Sequence, residues 1–549
     1  MSIGASKRRR PQRPALRHPD ESEERVSGAA AERVAWIALL LCLAMLVVSQ
    51  QGSLGFQPGH HGYLTSMGLS LAKNLSPENR FLMFTRVSID EQGNTVFSPH
   101  NRFPVLSYVL IKGAMSLAGG DLDAQMRWAH QLMNLFFWGG LVCSYLLVRQ
   151  MSGKPLLAIA VSLISYSSYY MQYYNDMVFN DIPALFGFLL VLLGVVTWRQ
   201  TGSARLLYLG IFVAIALGWQ AYAVLVCWAT LEALSIAKRL GRDPMVAATT
   251  MLRHPATRAL VVGVLWGGSL LSFNLYNESR VMHQDIGDLP SARSIRFRLG
   301  LAGGPADFPS YEELRWRPFL EMQVRRILKA AVPTRPLHGL LDKFSDRVQG
   351  RGGLRLVGLL ILPAVVFSWF FWRLFRGSGD RLVLFTVLLS GLFWTIPMKY
   401  FTAFHDFQGI FYVGIVLVVY LALLHRLPEK ALGPVVGVAL AVFVYANADL
   451  NRQKAEGSQY YAAYTRDFEK IDALIGKGRR IQAGADDQEF EQESVQLRFY
   501  MAGDYYADAR HAEFILSKNR AHNEFLMTPD DEAVFLFRNP GGRPLQPAE

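Results

Sequence analysis

Apolar residues gather in blocks along this chain, separated by polar stretches of very unequal length, and many of the blocks are long enough to cross a bilayer. About eleven of them are expected to span a membrane as helices: 35–50, 128–148, 155–173, 182–198, 206–220, 221–237, 259–275, 354–372, 382–398, 407–424 and 431–448. Several fall short of the roughly 20 residues a spanning helix needs, so they must borrow flanking residues or tilt little. Two intervals, 51–127 and 276–353, are far longer than a turn and read as large segments outside the membrane. In the second, YEELRWRPFLEMQVRRILKAAV places apolar and charged residues at helical spacing, which predicts an amphipathic helix on the membrane surface or packed on the loops. Residues 206–237 have two readings, one long helix or two short spans broken at Gly218-Trp219-Gln220; the basic loop that follows favours two.

Past residue 449 the pattern changes. DFEKIDALIGKGRRIQAGAD predicts a helix running into a strand, VQLRFYMAG a helix, and AEFILSKN and EAVFLFRN strands. The expected division is a disordered basic tail over 1–33, a membrane domain over 34–449, and a small outer α/β domain over 450–549 that is separable from the rest. The fold class is therefore an all-α polytopic membrane protein with a small α/β appendage. No glycine-rich phosphate loop opens a helix of that appendage, so it is assigned no nucleotide site.

Charge orients the spans. The chain carries a net charge of +12, which a basic tail (Lys7, Arg8, Arg9, Arg10, Arg13, Arg17) and the basic loops 238–258 and 373–381 account for without any nucleic acid. The expectation is a multi-pass protein of a bacterial inner membrane, in contact with membrane lipids, with its amino terminus cytoplasmic and its carboxyl terminus outside. No small-residue cleavage site is evident, so the first block reads as an anchor. Cys42, Cys143 and Cys227 all lie within blocks and offer neither a disulfide framework nor metal-ligand spacing.

Ionisable residues are nearly absent from the blocks. Glu232 is the one well inside, where Lys238 or Arg239 is its expected partner. Polar residues gather instead in three clusters on one predicted rim: His60, His61, Asp90, Glu91, His100 and Arg102; Asp176 and Asp181 in YYNDMVFNDIPALFGFLLVLL; and Lys399, His405, Asp406 and Gln408 in PMKYFTAFHDFQG. Singly, each could be an interfacial cap; Asp181 before Ile182-Pro183 reads as a helix N-cap. Together they are what a lipid-phosphate substrate needs, cations for the phosphate and a carboxylate to accept a proton.

At these residues the chain resembles the C-type integral-membrane glycosyltransferases, in particular their protein O-mannosyltransferase and aminoarabinose-transferase-like branch. The resemblance is carried by GHHGYLTSMGLSLAKNL, HNRFPVLSYVLIKGAM, MRWAHQLMNLFFWGGLVCSYLLVRQMSGK, YNDMVFNDIPALFGFLLVLL and KYFTAFHDFQGIFYVGIVLVVYLALL. It implies an enzyme that moves a sugar from a polyprenyl-phosphate donor to a glycan, lipid or protein acceptor on the outer face. It also implies a catalytic acid early in the first outer segment, where this chain has His60 and His61; the role then passes to a histidine or to Asp90 or Glu91. The second acid of the family falls on Asp176 or Asp181. Arg102 and Lys399 with His405 are the expected phosphate ligands, and His100, Asp406 and Gln408 the other substrate-binding residues. A divalent cation is compatible with the Asp/His clustering, without a diagnostic spacing. Two rivals are a lipid or polysaccharide transporter or flippase, which needs a polar track through the spans, and a non-catalytic assembly factor that keeps the fold.

Overall fold

The computed structural model describes residues 20–49, 60–89, 95–240, 244–301, 314–333, 339 and 380–475, and the strands 480–483, 504–505, 514–517, 525–527 and 535–538. The expected span 354–372, the expected helix VQLRFYMAG, and Asp90 and Glu91 lie outside these residues. In chain order the first elements are α1 (Asp20–Ser49), α2 (His60–Asn74), β1 (Phe84–Ile89), β2 (Thr95–Pro99), α3 (Leu106–Ser116), α4 (Leu122–Ser152), α5 (Pro155–Tyr166) and α6 (Tyr169–Tyr174). They continue as α7 (Asp181–Thr201), α8 (Arg205–Leu217), α9 (Ala221–Leu240), α10 (Pro244–Arg253), α11 (Pro255–Met282), α12 (Pro290–Arg298) and α13 (Trp316–Ala331). The last helices are α14 (Arg381–Thr395), α15 (Lys399–Phe404), α16 (Val413–Leu424) and α17 (Glu429–Ile475), with strands β3 (Arg480–Ala483), β4 (Asp504–Tyr505), β5 (Phe514–Ser517), β6 (Phe525–Met527) and β7 (Phe535–Arg538).

Among the described residues, seven helices are long and apolar enough to cross a membrane, and α5, α8 and α14 are shorter apolar helices beside them. The chain is thus a multi-pass membrane protein. The predicted blocks within the described residues fall on these helices, except that 155–173 is divided: α5 ends at Tyr166 and its remainder forms the separate short α6. Residues 206–237 form two helices, because α8 stops at Gly218 with extended backbone and α9 begins at Ala221. Central α7 packs on α8 through small residues: a Cβ on Gly194 would stand 2.7 Å from the Leu207 Cα, so glycine is what lets the backbones approach so closely. The first long segment folds as α2, the β1–β2 antiparallel hairpin and α3. Beyond the helices the strands form one sheet of order β4-β3-β5-β7-β6. The division expected at 449/450 falls inside a single helix, α17.

One expected pairing is corrected. Glu232 accepts from Arg199 at 2.8 Å, and Arg199 also grips Asp380 at 2.7 and 3.1 Å, while neither Lys238 nor Arg239 bonds Glu232. Arg199 sits in the last turn of α7, one helix length, about 27 Å, from Asp181. This ion cluster therefore ties α7, α9 and the start of α14 together at the end of the bundle away from Asp181.

Candidate active site at one end of the bundle

The turn between α6 and α7 is clamped on several sides. Asp176, 3% exposed, accepts on Oδ1 from Lys454 Nζ at 2.5 Å and from His61 Nε2 at 3.1 Å. Its backbone carbonyl accepts from His130 Nδ1 at 2.7 Å. Lys454 also donates to Asn175 Oδ1 at 2.8 Å and to the Gln172 carbonyl at 3.2 Å. The Val178 amide donates to Thr65 Oγ1 at 3.3 Å, and Gly68 stands where any side chain would collide with the Val178 carbonyl. A carboxylate can only accept, so His61 donates from Nε2 and its Nδ1 is left unprotonated. Burial alone raises the Asp176 carboxyl, but Lys454 and His61 outweigh it and hold it well below the usual carboxylate range.

Burial pushes His61 down from 6.5 to about 4, although its bond to Asp176 opposes the shift. It is neutral at physiological pH. Because the unfolded chain takes up this proton first, the stability contribution is full above pH 6.5 and lost as pH falls from 6.5 towards about 4. His61→Gln keeps a donor near Nε2 and removes the titration. The wild-type melting temperature should fall more steeply than the variant's between pH 7 and 4.5, by roughly 3 kcal/mol of differential stability. Parallel curves would contradict the neutral His61.

Asp181 is treated differently. Its Oδ1 accepts from Gln408 Nε2 at 2.9 Å and from Gln220 Nε2 at 3.3 Å. The Gln408 amide is locked in that sense, since its Oε1 accepts from the donor-only indole of Trp394 at 2.6 Å. Asp181 Oδ2 is buried and has no partner among the described residues. Asp181 is not the N-cap that the sequence suggests: it is the first residue of α7, Asn180 takes the cap position without capping, and the carboxylate reaches across to other segments. The two acids therefore divide. Asp176 is neutralised in an ion cluster, whereas among the described residues Asp181 is hydrogen-bonded by two amides and its Oδ2 has no bond.

Two guanidinium groups, Arg298 and Arg102, interact with each other at this end, and the first also interacts with Asp181. Arg298, the last residue of α12, interacts electrostatically with Asp181 and lies 4.2 Å from the Phe401 ring centroid and 5.8 Å from that of Phe103. Arg102 donates to Ser294 Oγ at 3.1 Å, and its buried Nε has no partner among the described residues. Glu278 aligns the segments that carry both, accepting from Asn101 Nδ2 and from the Ser291 amide, each at 3.1 Å. Burial lowers Arg298 well below its usual value, with Arg102 adding repulsion, and lowers Arg102 to about 10. A guanidinium stays charged in a protein, so this desolvation is a cost that an arriving anion would relieve. Burial also keeps His100 neutral, well below its ordinary value.

Described members of all three polar clusters expected from the sequence meet at this end. The His61 ring stacks on Tyr174 at 6.3 Å, Tyr174 meets Phe407 at 6.1 Å, and His405 lies 5.1 Å from Phe407 and 4.5 Å from Phe401. Asp406 shares a hydrogen bond with the Tyr174 hydroxyl. Lys399 Nζ lies 4.4 Å from the Trp316 ring centroid on α13, and burial lowers its pKa. His60 opens α2. Arg298, Lys454, Gln220 and Tyr108 were not singled out from sequence. Arg298 is one of several arginines in SARSIRFR, and Lys454 lies beyond the last apolar block, in the part expected to be separable. Among the described residues no group of three His, Cys, Asp or Glu side chains converges in a manner fit to hold a metal ion.

The fold is similar to that of solved ArnT structures. The structure of ArnT from Cupriavidus metallidurans bound to undecaprenyl phosphate matches with a TM-score of 0.57 at 10% sequence identity, over 93% of this chain and 99% of that one. ArnT in the apo state matches with a TM-score of 0.55 at 11% identity, over 94% and 100% of the two chains. The apo oligosaccharyltransferase of Archaeoglobus fulgidus matches more loosely, with a TM-score of 0.44 at 11% identity over 87% and 64%. No family model and no curated protein matches the sequence. At such identities the likeness is one of fold.

Proposed function

We propose that this protein transfers a sugar from a polyprenyl-phosphate-linked donor to an acceptor hydroxyl, with Asp181 as general base. The observation that carries this reading is the Oδ2 of buried Asp181, which has no hydrogen-bond partner among the described residues, with the desolvated Arg298 interacting with the same carboxylate. ArnT, whose fold it shares, was crystallised with undecaprenyl phosphate, which suggests the class of carrier. The acceptor oxygen bonds to the anomeric carbon as its proton passes to Asp181 Oδ2. The bond from that carbon to the phosphate oxygen breaks, and the polyprenyl phosphate leaves with the electron pair. Its extra negative charge is met by Arg298 and Arg102, with Lys399 as a third cation. Asp176, His61 and Lys454 position the turn that presents Asp181; His60, Asp90 and Glu91 take no role in this reading. Purified protein in nanodiscs should release undecaprenyl phosphate from an undecaprenyl-phosphate-linked sugar. A polytopic protein that binds the donor without ever releasing lipid phosphate would be an assembly factor instead.

The site is assigned to the outer face of a bacterial inner membrane, with the amino terminus inside. Ser203, in the connection after α7, and Ser116, at the end of α3, are both solvent-accessible and lie at opposite ends of the bundle. In a background without Cys42, Cys143 and Cys227, a membrane-impermeant thiol reagent added to intact cells should label Ser116→Cys and spare Ser203→Cys. The reverse pattern would place the site inside.

A further inference from the structure

We infer that Asn180, Gln220 and Tyr108 form the sugar-recognition subsite, and that the sugar they take is neutral, presenting hydroxyls rather than an ammonium. The inference rests on the polyprenyl-linked donor proposed above and specifies its sugar. Asn180 is the central observation. It occupies the N-cap position of α7, where an asparagine side chain ordinarily accepts from a free amide of the first turn, yet it makes no cap bond. It is fully buried, and neither its Nδ2 nor its Oδ1 has a partner among the described residues. A buried amide left unbonded at both ends is costly to the fold, and the next residue is Asp181.

Two further groups share that condition and that neighbourhood. Gln220 donates from Nε2 to Asp181 Oδ1 at 3.3 Å, while its buried Oε1 has no partner among the described residues. The Tyr108 hydroxyl is buried and likewise unpartnered, and the residue interacts electrostatically with both Asp181 and Arg102. The set comprises an amide donor, two amide acceptors and a hydroxyl, all uncharged. A sugar hydroxyl both donates and accepts, so a run of hydroxyls can satisfy such a set. Phe179 packs edge-on against Tyr108 at 6.1 Å and against Phe103 at 5.6 Å, giving apolar surface for ring C–H groups.

An ammonium-bearing sugar would need a carboxylate of its own, and those described at this end are committed; Asp406 bonds the Tyr174 hydroxyl. Asp181 is required for proton transfer. Asp176 is taken by Lys454 and His61, and Glu278 uses both oxygens on Asn101 and Ser291. Arg298 interacts electrostatically with Asp181, and its positive charge would repel an amine.

Binding to wild type, Asn180→Ala and Tyr108→Phe in nanodiscs tests this. The probes are undecaprenyl phosphate alone, a panel of neutral hexose and pentose donors on the same lipid phosphate, and a 4-amino-pentose donor. Undecaprenyl phosphate should bind all three proteins alike. At least one neutral donor should bind wild type about tenfold more tightly than the bare lipid phosphate, and each variant should lose most of that gain. The Asn180 side chain makes no hydrogen bond among the described residues, so its variant should insert normally, and Tyr108→Phe removes only an oxygen. A larger gain from the amino-sugar donor, no gain from any neutral donor, or a gain that survives both substitutions would overturn the subsite while leaving the donor class intact. Failure of undecaprenyl phosphate to bind wild type would overturn the donor reading and the subsite with it.

Discussion

Asp181→Asn should lower sugar transfer by roughly 10²–10⁴-fold, the usual contribution of a general base, while leaving insertion and melting temperature close to wild type. The substitution preserves side-chain volume and keeps an oxygen for Gln408 and Gln220, whose amides now hold Oδ1. It removes the charge and the proton-accepting Oδ2, to which no described residue hydrogen-bonds. A purely structural carboxylate would behave in the opposite way, losing stability and sparing turnover. Single-turnover measurement of undecaprenyl phosphate release, beside a melting curve of the same preparation, separates the two. Near wild-type release by the Asn variant would remove the base from this position.

Lys454→Met should be the most destabilising single change at the site. It strips the ammonium from a carboxylate that is 3% exposed, and breaking a buried pair from one side costs about 3–5 kcal/mol. Asp176→Asn/Lys454→Met removes both charges and should recover most of that loss, because two well-packed neutral groups replace an uncompensated anion. Thermal unfolding of the detergent-solubilised variants checks the order: wild type, then the double variant, then Lys454→Met. A double variant no more stable than the single one would mean that Lys454 serves the fold by its stem rather than its charge. The same contact bears on truncation. A chain ending near Arg452 loses Lys454, so it should be unstable, contrary to the separable tail expected from the sequence.

What could be seen in the sequence was local. The membrane helices were legible because desolvation acts on continuous apolar blocks, and the break at Gly218 because a glycine and a polar Gln220 interrupt one such block. The partition between the two acids was not legible. Asp176 and Asp181 stand five residues apart in the same polar turn, and what separates them are partners 278 and 227 positions away, Lys454 and Gln408. Tertiary proximity over such separations leaves no mark on periodicity. Glu232 illustrates the same limit, since its basic neighbours in sequence lose to Arg199 from another helix. Arg298 was hidden by composition: Arg293, Arg296 and Arg298 look alike in SARSIRFR, and the helix phase of α12 with the Glu278 contact at its start places one of them beside Asp181.

The most direct test is a cryo-electron microscopy map of the protein in nanodiscs with undecaprenyl phosphate. Phosphate density within hydrogen-bond distance of Arg298 or Arg102, at the Asp181 end of the bundle, is the predicted result. Phosphate seated at the opposite end, near Arg199, or no ordered lipid phosphate at saturating concentration, would contradict it.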